Sequence, residues 1–175
     1  MTNKPLIMFL GNSILSDDRI GLILGEKLRK RLELQGHEVQ VLEKNGISLI
    51  DYFEGRDHVI IVDSVESVGK RAGEIVHLTL DDLLRYPPMS SHYLGLPESV
   101  RLMSSLGIEQ PKQIRILGIA VDNPLTVSEK ISENLEKELP RLELELHSAI
   151  YSMTNQNAGT VSNERWEDEP YCVND

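Results

Sequence analysis

The chain has 175 residues, 40% hydrophobic and 26% charged, which suffices for the core of one α/β domain, falls short of two, and shows no collagen-like, coiled-coil or low-complexity bias. Twenty-eight acidic against 18 basic residues give a formal charge of -10, which argues against nucleic acid and against an anionic lipid surface as partners. A lone cysteine, Cys172, excludes a disulfide framework and a multi-cysteine zinc site, and no apolar run approaches the roughly 20 residues of a membrane span. The opening MTNKPLIMFL lacks the basic region and cleavage site of a signal peptide, so the expectation is a soluble, cytoplasmic protein.

In chain order, Pro5 to Leu10 is a short apolar strand ending in Gly11-Asn12. Ser16-Asp17-Asp18 supplies helix-capping chemistry ahead of Ile20, Ile23, Leu24, Leu28 and Leu32, which recur at helical spacing. Val39 to Leu42 is a second strand, Ile47 to Phe53 a short helix, and His58 to Asp63 a β-branched run suited to a central strand covered on both faces. Gly73 to Thr79 and Gln113 to Ile119 complete five strands, with a helix over Glu98 to Leu106 between them. The Val68 to Gly73 connection is too short for a crossover helix, which predicts that strand four runs antiparallel beside strand three at an edge. Ser128 to Ile150 is a long amphipathic stretch that Pro140 should kink or split. Residues 152–175 hold little that could form a core and are expected to be an acidic, mobile tail on a single domain of residues 1–151. The fold this predicts is a three-layer α/β sandwich: a twisted, five-stranded, mostly parallel sheet with helices on both faces and one antiparallel strand.

No Walker phosphate loop, G-x-G-x-x-G, G-x-S-x-G or H-E-x-x-H motif is present. Three polar clusters remain at strand ends or in the loops that follow, where open parallel sheets bind ligands. Gly11 to Asp18 joins the first strand to the first helix; it reads as a turn plus a cap, except that a cap requires one acid and two are present. Asp63 ends the most apolar strand, either as a plain strand terminator or as a carboxylate aimed into a crevice. His92 lies in a loop of small residues, whereas His37, His58, His77 and His147 adjoin or lie within elements and suit structural or solvated roles. Two carboxylates and one imidazole would neutralise a divalent ion, leave it an open coordination position and, without thiolate, hold it weakly. As partly exposed groups, the three should contribute little to stability.

At these residues the sequence resembles the hydrogenase maturation proteases, endopeptidases that trim the C-terminus of the large subunit of nickel-iron hydrogenases. The resemblance runs from Leu6 to Asn123. It is carried by Gly11-Asn12 with Asp17-Asp18, by Ile61-Val62-Asp63-Ser64-Val65, by Gly69 with Gly73, by Ser91-His92-Tyr93-Leu94-Gly95-Leu96 and by Leu117-Gly118-Ile119. It implies Asp18, Asp63 and His92 as the metal-binding residues, which either carry out the catalytic chemistry or only dock the ion, with Asn12 and Glu43 as candidate substrate contacts. It also implies that no cofactor is permanently bound: nickel arrives in the substrate, the precursor of a hydrogenase large subunit. Two positions depart from the family pattern, Arg19 where a glycine commonly follows the acidic pair, and Glu43-Lys44-Asn45-Gly46-Ile47 after strand two. A non-catalytic protein that senses or escorts nickel on the same fold is the alternative. A flavodoxin-like nucleotide binder fits less well, because two acids in the first loop repel phosphate.

Overall fold

The computed structural model describes residues 5–66, 69–85 and 95–155. Five strands, β1 (Leu6–Leu10), β2 (Glu38–Leu42), β3 (His58–Glu66), β4 (Ile75–Thr79) and β5 (Gln113–Val121), form one sheet in the order β2-β1-β3-β5-β4. All neighbours are parallel except β4 with β5. The helices are α1 (Ile20–Leu34), α2 (Ile50–Phe53), α3 (Leu80–Arg85), α4 (Leu96–Ser105) and α5 (Glu133–Asn155). The chain leaves β1 toward β2 and returns on the other side as β3, so the order of connection reverses between β1 and β3, and their carboxyl ends flank the crevice where such sheets bind ligands.

Alternation along the strands sends side chains to two cores. Ile7, Phe9, Ile60 and Val62 pack with Leu24, Leu28 and Leu32 of α1 and with Leu142, Leu146 and Ile150 of α5. Leu6, Met8, Ile61 and Val65 face the other way, onto Phe53 of α2 and Leu96 and Met103 of α4. Helix α1 lies so close to β1 that a Cβ on Gly21 would sit 1.9 Å from the Leu10 carbonyl oxygen, and one on Gly25 would sit 2.8 Å from Phe9.

Several elements differ from the sequence expectation. Strand β4 is antiparallel and at an edge, but it lies beside β5, not β3. The place next to β3 is taken by β5 along its whole length, from His58↔Gln113 to Glu66↔Val121. Ile114, Ile116, Leu117 and Ile119 suit a strand covered on both faces, whereas the half-exposed Ile75–Thr79, with His77 and Thr79 among its apolar residues, suits an edge. The helix across Pro140 is continuous, 23 residues with the proline exposed, so the carbonyl it strips of a partner faces water. It begins at Glu133 instead of Ser128, because the preceding segment pairs with the loop after β1. It also runs through residues 152–155, where Met153 is buried in the core and its carbonyl accepts from Arg115. The remaining residues assigned to the tail, Cys172 among them, lie outside the described residues. Helix α3 has no counterpart in the sequence reading, and residues 47–53 divide into a 3-10 turn, Gly46–Leu49, followed by the single turn of α2. Among the described residues no helix is long and apolar enough to cross a membrane.

Candidate active site

The loop leaving β1 folds back on itself. The Asn12 N–H donates to the Asp18 carbonyl at 3.2 Å, and the Asn12 side-chain oxygen accepts from the Ile14 N–H at 3.1 Å. Gly11 permits this closure, since a Cβ there would stand 2.7 Å from the Asp18 carbonyl oxygen. Asp17–Arg19 form a 3-10 turn that feeds α1, and neither Ser16 nor Arg19 makes a side-chain cap bond, so the expected capping is replaced by longer-range contacts. Asp17, fully buried, accepts from the Ser132 N–H at 2.6 Å and so anchors the approach to α5. The Asp18 carboxylate accepts from the Ser64 hydroxyl. Two adjacent acids thus have separate duties, one bracing the fold and one standing at the end of the sheet.

Asp63 lies one step past the last β1–β3 pair, Phe9↔Val62, opposite Gly118 of β5. Its Oδ1 accepts the Ser64 N–H at 2.8 Å. Strand alternation places Asp63 with Ile61 and Val65 on the α4 side, and Ser64 with Ile60 and Val62 on the α1 side, where Asp18 meets it.

The rim is knitted to the segment beyond β5. Leu15 bridges Val127, the Ser16 N–H donates to the Thr126 carbonyl at 2.7 Å, and the Ser16 hydroxyl donates to the Lys130 carbonyl at 2.9 Å. Arg19 extends its guanidinium to the carbonyls of Ser13 and Glu129, which gives the family departure at this position a structural use as a tie between the two segments. Across the rim, Glu43 Oε2 accepts both the N–H and the hydroxyl of Ser13, at 3.0 and 2.9 Å. Between the N-terminus of α4 and the Gly46 turn opens a cavity of about 350 Å³ lined by Asn45, Ile47, Glu98, Ser99 and Leu102.

Of the residues singled out in the sequence, Asp18 and Asp63 are therefore joined through Ser64, while Asn12 and Glu43 shape the loop at its rim. His92 lies outside the described residues. Among the described residues no group of three or more histidine, cysteine or acidic side chains is arranged to hold a metal ion. The two acids are not partly exposed as expected: Asp18 is 3% and Asp63 0% exposed. The sequence expectation ends the third strand at Asp63, whereas β3 runs on to Glu66 because β5 pairs with it that far; it assigns no role to Ser64 or Ser132, and the signal for Ser64 is its place directly after the aspartate that closes the apolar run.

The family model for hydrogenase maturation proteases, HycI, matches residues 23–149, which take in Asp63 and begin past Asp18. The chain is 30% identical to the hydrogenase 2 maturation protease of Escherichia coli over 120 residues, 66% of this chain and 72% of that protein. To the Pyrococcus furiosus protein FrxA it is 28% identical over 132 residues, 73% of this chain and 90% of that one. The fold is that of the hydrogenase maturating endopeptidase HybD from E. coli, with a TM-score of 0.66 at 23% identity, covering 86% of this chain and 93% of HybD. These matches agree with one another: the chain belongs to the hydrogenase maturation proteases, a family of endopeptidases.

Proposed function

We propose that this protein removes the C-terminal extension of a nickel-iron hydrogenase large-subunit precursor after nickel has been inserted, and that it recognises the nickel the substrate carries. The observation that supports this reading most is the pair of buried carboxylates, Asp18 and Asp63, joined through Ser64 where the sheet reverses its order. Two carboxylates offset both charges of a divalent ion, and His92, the third residue of the proposed set, adds a neutral donor without thiolate. Such a set engages an ion that its own substrate already holds and retains little of it afterwards. With the substrate's nickel docked there, the scissile carbonyl and an attacking water fall within reach of a carboxylate that can take the proton. Asn12 and Glu43 border the path of the substrate chain.

Incubation of the purified protein with nickel-loaded and nickel-free precursor, read by the mass of the large subunit, tests the proposal. Shortening of the loaded precursor alone is the expected result. The proposal fails if nickel-free precursor is cut as efficiently, or if the protein as purified holds a stoichiometric metal. Binding of loaded precursor without cleavage would instead identify an escort protein.

A further inference from the structure

Asp18 and Asp63 approach Ser64 from opposite faces of the sheet. Asp18 arrives on the turn that starts α1, and Asp63 projects from β3 toward α4. Ser64 is bonded to both: its N–H donates to Asp63 Oδ1 at 2.8 Å and its hydroxyl donates to Asp18 Oδ1. It is 1% exposed, and its backbone is fixed by β3–β5 register opposite Ile119. We infer that Ser64 is a positioning residue that sets the orientation of Asp18 relative to Asp63 across β3, an inference that rests on the proposed role of those two acids.

The physical argument concerns torsional freedom. The carboxylate of an aspartate rotates about a broad two-fold torsion, and a hydrogen bond to one oxygen selects the rotamer and the direction in which the other oxygen points. For Asp63 that donor is a main-chain N–H, which no side-chain substitution at Ser64 removes. For Asp18 it is the hydroxyl, which substitution does remove. One residue therefore positions two acids through separable contacts, and the side-chain contact can be deleted alone.

The test is cleavage of nickel-loaded large-subunit precursor by the full chain, with kcat and KM determined separately. Ser64→Ala should lower kcat by about 10- to 100-fold, as loss of a group that orients a metal-binding carboxylate does, while KM stays within about twofold. Ser64→Thr, which restores the hydroxyl on a β-branched frame suited to a strand, should recover most of the loss. Ser64→Cys, which keeps the volume but donates feebly, should behave as alanine does, and it takes the place of alanine if Ser64→Ala fails to fold by thermal melt. A kcat within twofold of the parent for both Ser64→Ala and Ser64→Cys overturns the inference, as does a loss confined to KM or a failure of threonine to rescue. Asp18→Asn and Asp63→Asn measured in parallel separate the two claims. If both still process precursor, the reading of the site itself is wrong; if both are inactive while Ser64→Ala is normal, only the role of Ser64 falls.

Discussion

On one face of the sheet two long helices, α1 of 15 and α5 of 23 residues, share one core with β1, β3 and β5, with many fully buried aliphatic side chains and, for α1, a glycine against the β1 backbone. The opposite face is covered by α2, α3 and α4, of four, six and ten residues, with a 3-10 turn and an open cavity between them. Asp18 is carried by the first cover, Asp63 by the sheet, and His92 by the sequence between α3 and α4. The first cover thus carries one acid of the proposed site, and the other projects from the sheet toward the second cover.

Gly21 gives the sharpest way to break this asymmetry. A methyl group there would fall 1.9 Å from a main-chain oxygen, which no rotamer change relieves, so Gly21→Ala should destabilise by about 3 kcal/mol or more and lower the yield of folded protein. Val100→Ala, at a half-buried position of α4, should lose only about 1 kcal/mol. Urea denaturation of both variants decides the matter, and equal losses would show that the two covers are equally tight.

Substitution of the acids should separate activity from stability. Asp18→Asn and Asp63→Asn keep an oxygen able to accept the Ser64 bonds, so folding should change little while processing falls by about 100-fold or more. Asp17→Ala removes the acceptor for the Ser132 N–H and should lose about 1–3 kcal/mol, with cleavage reduced only as far as the folded fraction is. Precursor cleavage paired with thermal melts checks all three, and a collapse in melting temperature for Asp63→Asn would make that carboxylate structural.

The thick cover was readable in the sequence because its signals are periodic: Ile20, Leu24, Leu28 and Leu32 form a stripe, and the β-branched run before Asp63 fits only an inner strand. The thin cover was harder to read, because short elements are set by local hydrogen bonds rather than by period. Thr79-Leu80-Asp81-Asp82 is a capping box, with the Asp82 carboxylate accepting the Thr79 N–H at 2.7 Å, yet Leu78 and Leu80 flank Thr79 in strand-like alternation and conceal the start of α3. The neighbour of β4 was hidden for a different reason. Chain connectivity favours a hairpin with β3, and only the greater apolar content of Gln113–Val121 hands that place to β5. At the site, the aspartates were legible from the doubled acid in the loop after β1 and from the close of the apolar run before Asp63, although β3 itself continues past Asp63 to Glu66. The division of labour between Asp17 and Asp18 was not, since it depends on Ser132 and Ser64, each distant in sequence from its partner.

A smaller effect should follow from pH, through two histidines on the thick cover. Burial, then the nearby His147, lowers the pKa of His37 below its ordinary 6.5, and burial, then Arg31, lowers that of His147, whose Nε2 lies 3.3 Å from Gln35 Oε1. A depressed folded-state value means the unfolded chain takes up protons first. The histidine contribution is therefore fully present above the unfolded pKa, 6.5, and is lost as pH falls through the folded values. Melting temperatures of the parent and of His37→Gln/His147→Gln should converge between about pH 7.5 and pH 5, the parent dropping more steeply. Parallel slopes would remove the histidines from the account.

The smallest effect concerns the ion pair that spans α1 and α5, Lys27 to Glu143 at 3.7 Å, with side chains 46% and 37% exposed. At such exposure water screens most of the attraction, and fixing two long side chains costs entropy, so Lys27→Ala should change stability by no more than about 0.5 kcal/mol. The adjacent residue provides the contrast. Leu28 is 1% exposed within the core that α1 and α5 share, and Leu28→Ala should lose about 2–5 kcal/mol through lost burial and the cavity left behind. If the two helices are held by packing, denaturant midpoints will separate these neighbouring substitutions widely, and added salt will leave the Lys27→Ala difference unchanged. A loss at Lys27 approaching that at Leu28 would mean that charge, not the buried stripe, holds α5 against α1. The firmness attributed to the cover that carries Asp18 would then depend on ionic strength.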